Sequence, residues 1–256
     1  MVRPLTAVAA NRLRAQASQV ARLHVDPDAP SPGHYEVARL TVEGGEGVDP
    51  RAAHWTALPC LEWGPVPYRT AFRAAWTDEA FWFRFDCHDD RPWHTMTRRD
   101  DCLWEEEVVE VFLDPEGAGR DYAEIEISPA NVVCDVRVRT PWPSLVSDLT
   151  WNAEGLDTRV APWPDGGAGG WTALGRLPWQ ALLALSSGAA AQLPPRRGDR
   201  WAFNVFRIKR PGGPAAPEDG AIYAAWSVPD APSFHVPAAF QPLVFAGPHD
   251  TPGAVV

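Results

Sequence analysis

The sequence predicts an all-β protein, an antiparallel β-sandwich of jelly-roll type with one or two short helices. Twenty-seven prolines and twenty glycines separate short runs of alternating apolar and polar residues, a pattern typical of many short strands joined by loops. No strand–helix–strand alternation occurs, which argues against a Rossmann-type or barrel α/β fold. A chain of 256 residues, 45% of them hydrophobic, is long enough to form one large sandwich.

The predicted strands follow one another from Tyr35 onwards. Residues 1–34 are expected to be a weakly ordered lead-in or a short helix, and residues 35–256 the sandwich. Ten strands are expected, at 35–43, 68–77, 80–89, 107–115, 119–129, 131–140, 155–163, 169–178, 200–210 and 221–229. Asp78 and Glu79 suit a tight hairpin between the second and third of these strands. Residues 179–186 predict a short helix, and the glycine-rich stretch 165–170 predicts a hairpin loop.

Several of these strands have one apolar face and one face that mixes charged with aromatic residues. The predicted apolar faces are Phe81, Phe83 and Phe85; Val109, Val111 and Leu113; Ala123, Ile125 and Ile127; and Val132, Cys134, Val136 and Val138. The mixed faces have two interpretations. One is a solvated outer sheet with cross-strand ion pairs, and the other is a shallow groove of carboxylates, arginines and aromatic rings, which suits a sugar.

Composition limits the classes of partner and compartment. The formal net charge of −10 disfavours nucleic acid, because an acidic surface repels phosphate backbones. Arginines interrupt the first 25 residues, so no signal peptide or membrane span is predicted, and a cytoplasmic location is expected. The four cysteines lack C-x-x-C spacing and are interpreted as reduced thiols. A monomer or weak homo-oligomer is expected.

Six segments together resemble the family 9 carbohydrate-binding modules, and especially stand-alone bacterial proteins of the same type, sandwiches related to DOMON-like domains. They are YRTAFRAAWTDEAFWFRFDCHD, RDDCLWEEEVVEVFLDP, YAEIEISPANVVCDVRV, WNAEGLD, RWAFNVFRIKR and AAWSVPDAPSFHVPAAFQPLVF. The resemblance runs from about residue 37 to residue 245. It implies a β-sandwich that holds a mono- or oligosaccharide between two aromatic side chains, with structural calcium nearby and no catalysis.

The resemblance also assigns binding residues. Trp104 matches the first stacking tryptophan, and Glu110 matches the glutamate that accepts bonds from sugar hydroxyls. Phe234 replaces the second stacking tryptophan, and Glu126 stands where a sugar-contacting arginine would be expected. The full set of predicted carbohydrate-binding residues is Trp104, Glu110, Phe234, His235, Arg84, Glu126 and Asn204.

Two alternatives to non-catalytic sugar binding remain open at this stage. A carbohydrate-active hydrolase would use paired carboxylates, drawn from Glu110, Glu126 and the Asp100–Asp101 pair. A haem-binding or other small-ligand sandwich is the second, by analogy of fold, with His94 and Met96 as nearby ligand types.

Calcium is the one cofactor that the sequence suggests. Asp86, Asp89, Asp90, Asp100 and Asp101 lie within sixteen residues of one another, and hard oxygen ligands favour calcium. No EF-hand loop pattern is present, so an acidic solvated loop is the competing interpretation. Zinc is disfavoured because His88 and His94 lack the usual ligand spacing.

Overall fold

A computed structural model describes residues 23–24, 33–40, 53–163, 169–185 and 192–248. Its strands are β1 Leu23–His24, β2 Tyr35–Arg39, β3 Leu61–Trp63, β4 Thr70–Trp76, β5 Ala80–His88, β6 Val108–Asp114, β7 Tyr122–Ile127, β8 Val133–Thr140, β9 Val146–Asp148, β10 Asp157–Pro162, β11 Gly170–Pro178, β12 Arg200–Lys209, β13 Ile222–Ala225 and β14 Gln241–Pro248. The helices of the described residues are short 3-10 segments at Ala53–Ala57, Leu103–Glu105, Trp179–Leu185, Glu218–Gly220 and Pro237–Ala239.

The strands form one continuous hydrogen-bonded path that folds over into two layers. The path runs β10-β11-β5-β4-β2-β14-β12-β6-β7-β8-β9, with β3 paired to β4, and β13 paired to β12 and β1. We call β10, β11, β5 and β4 the first sheet, and β12, β6, β7, β8 and β9 the second sheet. β2 and β14 join the two layers.

The core between the layers is made by the apolar faces that alternation predicts. Phe81, Phe83 and Phe85 of β5 pack in the same buried cluster as Val111 of β6 and Ile125 of β7. β12 adds a row of inward side chains at Trp201, Phe203 and Val205. Burying one apolar face of each sheet against the other is what stabilises a sandwich.

The predicted fold class is confirmed, with differences in detail. Most strand pairs are antiparallel, but β14–β2, β2–β4 and β1–β13 are parallel. The hairpin at Asp78 and Glu79 is present, closed by a bond from the Thr77 N–H to the Ala80 carbonyl. The helix expected at 179–186 is the 3-10 segment Trp179–Leu185.

The predicted inward face of β8 is wrong. Cys134 lies opposite Glu126 and Val136 opposite Glu124 on the neighbouring strand β7. Because directly opposed residues share a face, Cys134 and Val136 point away from the core between the sheets. They belong to a second apolar cluster, which covers the outer face of the second sheet.

Three other sequence-based expectations concern the lead-in, the membrane and the cysteines. Within the lead-in, Leu23 and His24 pair with β13, and a helix over residues 10–22 lies outside the described residues. None of the helices in the described ranges is long and apolar enough to cross a membrane. All four cysteines are free thiols, as interpreted from their spacing.

Candidate functional site

Three glutamates meet on the outer face of the second sheet. Glu110 projects from β6, and Glu124 and Glu126 project from β7, where Glu126 stands directly opposite Glu110. One carboxylate oxygen from each lies within 4.8 Å of those of the other two. Their exposed fractions are 2%, 2% and 0%, so all three carboxyl groups are buried. They are the one such group of potential metal ligands in the described ranges.

Aromatic rings surround these carboxyl groups. Phe206 of β12 lies opposite Glu110, and Phe112 of β6 lies opposite Glu124. The ring of Phe234 stacks on Phe206 with centroids 4.2 Å apart and an interplanar angle of 21°. We call the surface formed by Glu110, Glu124, Glu126, Phe112 and Phe206 the glutamate face.

His235 connects this surface to the loop that covers it. Its ring stacks on Phe112 at 5.0 Å, and its Nδ1 lies 3.0 Å from the Tyr122 hydroxyl. Its Nε2 lies 4.0 Å from Glu124 Oε1. His235 is therefore placed to donate to or accept from a polar group held beside Glu124, depending on its tautomer.

Trp104 is buried beside the glutamate face and does not stand at an exposed rim. It lies in the 3-10 helix Leu103–Glu105 with 4% of its surface exposed, and it packs in the same apolar cluster as Phe234. Phe234 itself is 2% exposed. The two predicted stacking residues thus lie on the predicted side of the protein, but neither ring presents an open face.

The glutamates that precede β6 stabilise the loop that leads into the strand. Glu106 accepts hydrogen bonds from the Thr95 N–H at 2.8 Å and from the Thr95 hydroxyl. Glu107 Oε1 forms an ion pair with Lys209 Nζ at 2.6 Å. These acidic residues are therefore used to fix the loop before β6, and only Glu110 reaches the glutamate face.

Asn204 is structural in this arrangement. It is fully buried, its Nδ2 donates to the Ser227 carbonyl at 2.7 Å, and its Oδ1 accepts from the Ser227 N–H at 3.1 Å. Its Oδ1 also accepts from the Val205 N–H. Asn204 lies on the same side of β12 as Phe206, where it anchors the start of the loop that carries Phe234.

The structure does not bring Arg84 to this site. Arg84 lies on β5 in the first sheet, where its neighbours along the strand, Phe83 and Phe85, point into the core. Its side chain therefore points outward on the opposite side of the sandwich. It pairs there with Asp86, 2.7 Å from Nη2 to Oδ1, next to a second pair between Arg73 and Asp86.

The five aspartates predicted as calcium ligands form no common group of three or more ligand atoms among the described residues. Asp89 is buried and already bound by two cations, Arg207 Nη2 at 2.7 Å and Lys209 Nζ at 2.6 Å. Asp86 is paired with Arg73 and Arg84. Side-chain cations thus satisfy the carboxylates that a calcium ion would need.

The remaining three aspartates either accept hydrogen bonds from the nearby backbone or lie away from these ion pairs. Asp101 accepts from the backbone N–H groups of Thr97 and Arg98, which lowers the pKa of its carboxyl group. Burial, followed by the charge of Asp135, raises the pKa of Asp100. Asp90 is exposed. These three residues therefore form no ligand group with Asp86 and Asp89 among the described residues.

Sequence reasoning missed Glu124, Tyr122 and Phe206 as residues of this site. Glu124 shares a face with Glu126 by simple alternation, and that spacing was the available signal. Tyr122 lies on the same face of β7 by the same alternation. The haem alternative gains no support from the described residues, since His94 is exposed while Met96 packs against the outer apolar cluster.

Comparisons with known proteins agree with this geometry. Residues 45–138 match the profile of the family described as Carbohydrate-binding family 9. This segment is similar to carbohydrate-binding family 9. The matched segment contains Trp104 and all three glutamates of the glutamate face.

Two solved structures have a fold similar to that of this chain. A family 9 carbohydrate-binding module from Caldicellulosiruptor kristjanssonii in complex with cellotriose matches with a TM-score of 0.57 at 13% identity, over 87% of this chain and 98% of that one. A structure from the same organism and family in complex with glucose matches with a TM-score of 0.54, also at 13% identity, over 85% of this chain and 98% of that one.

One curated relative is similar in sequence. It is an "Extracellular protein" from the fungus Arthroderma benhamiae, 26% identical over 192 residues, which is 71% of this chain and 80% of the relative.

Proposed function

We propose that the glutamate face binds a mono- or oligosaccharide without cleaving it. The observation that carries this proposal is the convergence of three buried carboxyl groups, within 4.8 Å of one another, among aromatic rings on one sheet face. Carboxylates accept hydrogen bonds from neighbouring sugar hydroxyls, and charge-assisted bonds of this kind are the strong ones. Aromatic rings offer the flat apolar surface on which the C–H face of a sugar packs.

The family 9-like sequence supports this chemistry. The matched residues 45–138 include Trp104 and Glu110, the positions to which the resemblance assigns sugar stacking and hydroxyl binding. Two family 9 modules of similar fold are complexes with cellotriose and with glucose. We therefore expect a neutral gluco-configured sugar as the first ligand to test.

Access to the glutamate face requires movement of its covering loop. Phe234 and His235 lie over Phe206 and Phe112, and both side chains are buried. A sugar would have to displace Phe234 from Phe206, or stack on Phe234 once the loop has opened. The affinity is then lowered by the fraction of molecules in the closed form.

The test is isothermal titration calorimetry with glucose and cellotriose. Wild type is compared with Glu110→Gln and Glu126→Gln, which keep the side-chain volume but remove the charge. The matched control is Glu36→Gln on β2, because the Glu36 side chain is 62% exposed. We expect each variant on the glutamate face to bind at least about tenfold more weakly, equal to about 1.4 kcal/mol, and the control to bind like wild type.

Two results would contradict the proposal. Unchanged affinity in both Glu110→Gln and Glu126→Gln would place sugar binding elsewhere. Release of reducing ends by wild type but not by Glu110→Gln would favour the hydrolase alternative, because hydrolysis needs a pair of carboxyl groups.

A further inference from the structure

A concave site lies at the end of the sandwich where the first sheet meets β14. The cavity has a volume of about 440 Å³, and its lining residues are Arg39, Trp76, Asp78, Gln192, Leu193, Pro194, Pro195, Arg196, Arg197 and Gly247. We call it the arginine groove. Its residues come from β2, the end of β4 and the following turn, the segment before β12, and β14. The glutamate face lies on β6 and β7 and contributes none of them.

The lining is positively charged in a chain that is acidic overall. Three arginines and one aspartate line the groove, whereas the whole chain carries a net charge of −10. Asp78 forms an ion pair with Arg39, whose Nη2 lies 2.6 Å from both carboxylate oxygens. Arg196 and Arg197, both exposed, therefore supply the uncompensated charge among the lining residues.

Two of the three arginines contact neighbouring residues of the groove. The guanidinium of Arg39 lies over the Trp76 ring, 5.3 Å from its centroid. The Arg197 side chain lies so close to Gly247 that a Cβ there would come within 3.1 Å of its Nε. Holding a flexible cation in advance lowers the entropy lost on binding.

The backbone between the two arginines and β12 is also fixed. The Arg196 N–H donates to Asp199 Oδ2 at 2.7 Å, and the Gly198 N–H donates to the Phe245 carbonyl at 2.8 Å. Gly198 has a φ of +94°, a value that favours glycine. Asp199 thus stabilises the turn through this hydrogen bond and is not among the groove-lining residues.

We propose that the arginine groove is a second binding site, which takes a small molecule through a carboxylate or phosphate group. Arginine presents a planar fork of donors that matches either anion in a bidentate manner. Trp76 and Pro194 provide an apolar wall beside the charges. This site differs from the glutamate face in charge, so the two would take different chemical groups.

The test titrates the intact protein with glucuronate, glucose 6-phosphate, inorganic phosphate and neutral glucose, followed by NMR chemical shifts or calorimetry. The main variant is Arg196→Gln with Arg197→Gln, and the control is Arg159→Gln on β10, whose side chain is 56% exposed. A Gly247→Ala variant tests the groove without removing a charge, because the new Cβ would lie 3.1 Å from Arg197 Nε and shift that side chain by a few tenths of an ångström.

We expect at least one anion to bind wild type and the Arg159→Gln control, and to bind at least about tenfold more weakly to the double variant. Gly247→Ala should also weaken anion binding, and added salt should weaken anion binding to wild type. Glucuronate binding would identify a carboxylate ligand, and binding of the two phosphate compounds a phosphate ligand. If no anion binds, or if the double variant binds as tightly as wild type, the proposal is wrong. Inorganic phosphate carries no sugar, so a loss of its binding in the double variant concerns the arginine groove alone, whereas a loss of neutral glucose binding in Glu110→Gln concerns the glutamate face alone.

Discussion

Glu110 and Glu126 stand directly opposite each other on neighbouring antiparallel strands, and both are buried on the glutamate face. Like charges at opposed positions destabilise a sheet, and burying a carboxylate costs hydration free energy. Glu124 joins them within 4.8 Å. Where two of these carboxyl groups are ionised together they repel each other, and local rules are typically broken in this way at functional sites.

Removing one carboxyl group should therefore stabilise the fold while it weakens ligand binding. Glu126→Gln keeps the shape of the side chain and removes the charge that faces Glu110. We expect Tm to rise by about 2–6 °C, which corresponds to about 1–2 kcal/mol for a chain of this size. Differential scanning calorimetry measures the change.

The control for this prediction is Glu36→Gln, whose side chain is 62% exposed and which should leave Tm within about 1 °C of wild type. A fall in Tm in Glu126→Gln would show that the carboxyl group stabilises the fold. In that case the unfavourable-charge argument for a binding role would be lost.

Asn204 should be essential for holding the covering loop. Its side chain makes two hydrogen bonds to the backbone of Ser227 and a third to Val205, all in a fully buried position. Asn204→Ala leaves those backbone groups unsatisfied, and we expect a loss of about 2–4 kcal/mol in the free energy of unfolding. Chemical denaturation measures it, with Ala in place of the exposed Asn152 as the control.

Hydrogen exchange gives the second measurement on the same variant. Amides at residues 227–236 should exchange faster than in wild type, because the loop that carries Phe234 is no longer anchored at its start. Equal protection of this loop in both proteins would contradict the anchoring role of Asn204, even if overall stability fell.

Alternation in the sequence predicted the strand faces well but not what covers them. The mixed faces of the two sheets differ. Arg73 and Arg84 pair with Asp86 on the outside of the first sheet, which is the ion-paired outer face. On the second sheet the corresponding face is buried, because Phe234 and His235 arrive from a loop more than a hundred residues away in sequence.

Nearness in sequence was also a poor guide to the acidic residues. Five aspartates within one short stretch predicted a common ion site, yet Asp89 is bound by Arg207 and Lys209, which lie 118 and 120 residues further along the chain. A local pattern cannot show which distant cation will reach a buried carboxylate. The β8 face was wrong for a similar reason, since its apolar residues pack under residues of the covering loop, such as Phe234.

Glu107 should make stability depend on pH. Burial, with the charge of Asp89, raises the pKa of Glu107 to about 7 from its ordinary value of 4.5, against the opposing effect of Lys209. An acid whose pKa is raised on folding binds its proton more tightly in the folded state. Its contribution to stability is therefore fully present below about pH 4.5 and is lost as pH rises to about 7.

Replacing this carboxyl group should remove that dependence. Glu107→Gln mimics the protonated form, so its free energy of unfolding should increase relative to wild type between about pH 5 and about pH 7, by at most about 3 kcal/mol. Urea denaturation across this range measures the difference. The free energy of unfolding of Glu36→Gln should change with pH as that of wild type does. A difference in this free energy between Glu107→Gln and wild type that stays constant with pH would refute the assignment.

Asp89 should be the most sensitive of the five aspartates to replacement. It accepts from Arg207 and Lys209, whose side chains are each 2% exposed, so Asp89→Ala would leave two buried cations with less compensation. Removing one partner of a buried ion pair lowers the free energy of unfolding by about 3–5 kcal/mol. By contrast, Asp78→Ala removes a side chain that is 63% exposed and paired with Arg39, and should cost less than about 1 kcal/mol.

Comparison of Asp89→Ala with wild type also separates ion pairing from calcium binding. If Asp89 acts through Arg207 and Lys209, the loss in Asp89→Ala is the same with added calcium and with a chelator, because no metal takes part. If wild type loses stability on chelation and Asp89→Ala does not, the carboxylate holds calcium and the ion-pair account is wrong. Because the two cations already lie 2.7 and 2.6 Å from the carboxylate oxygens, we expect the first result.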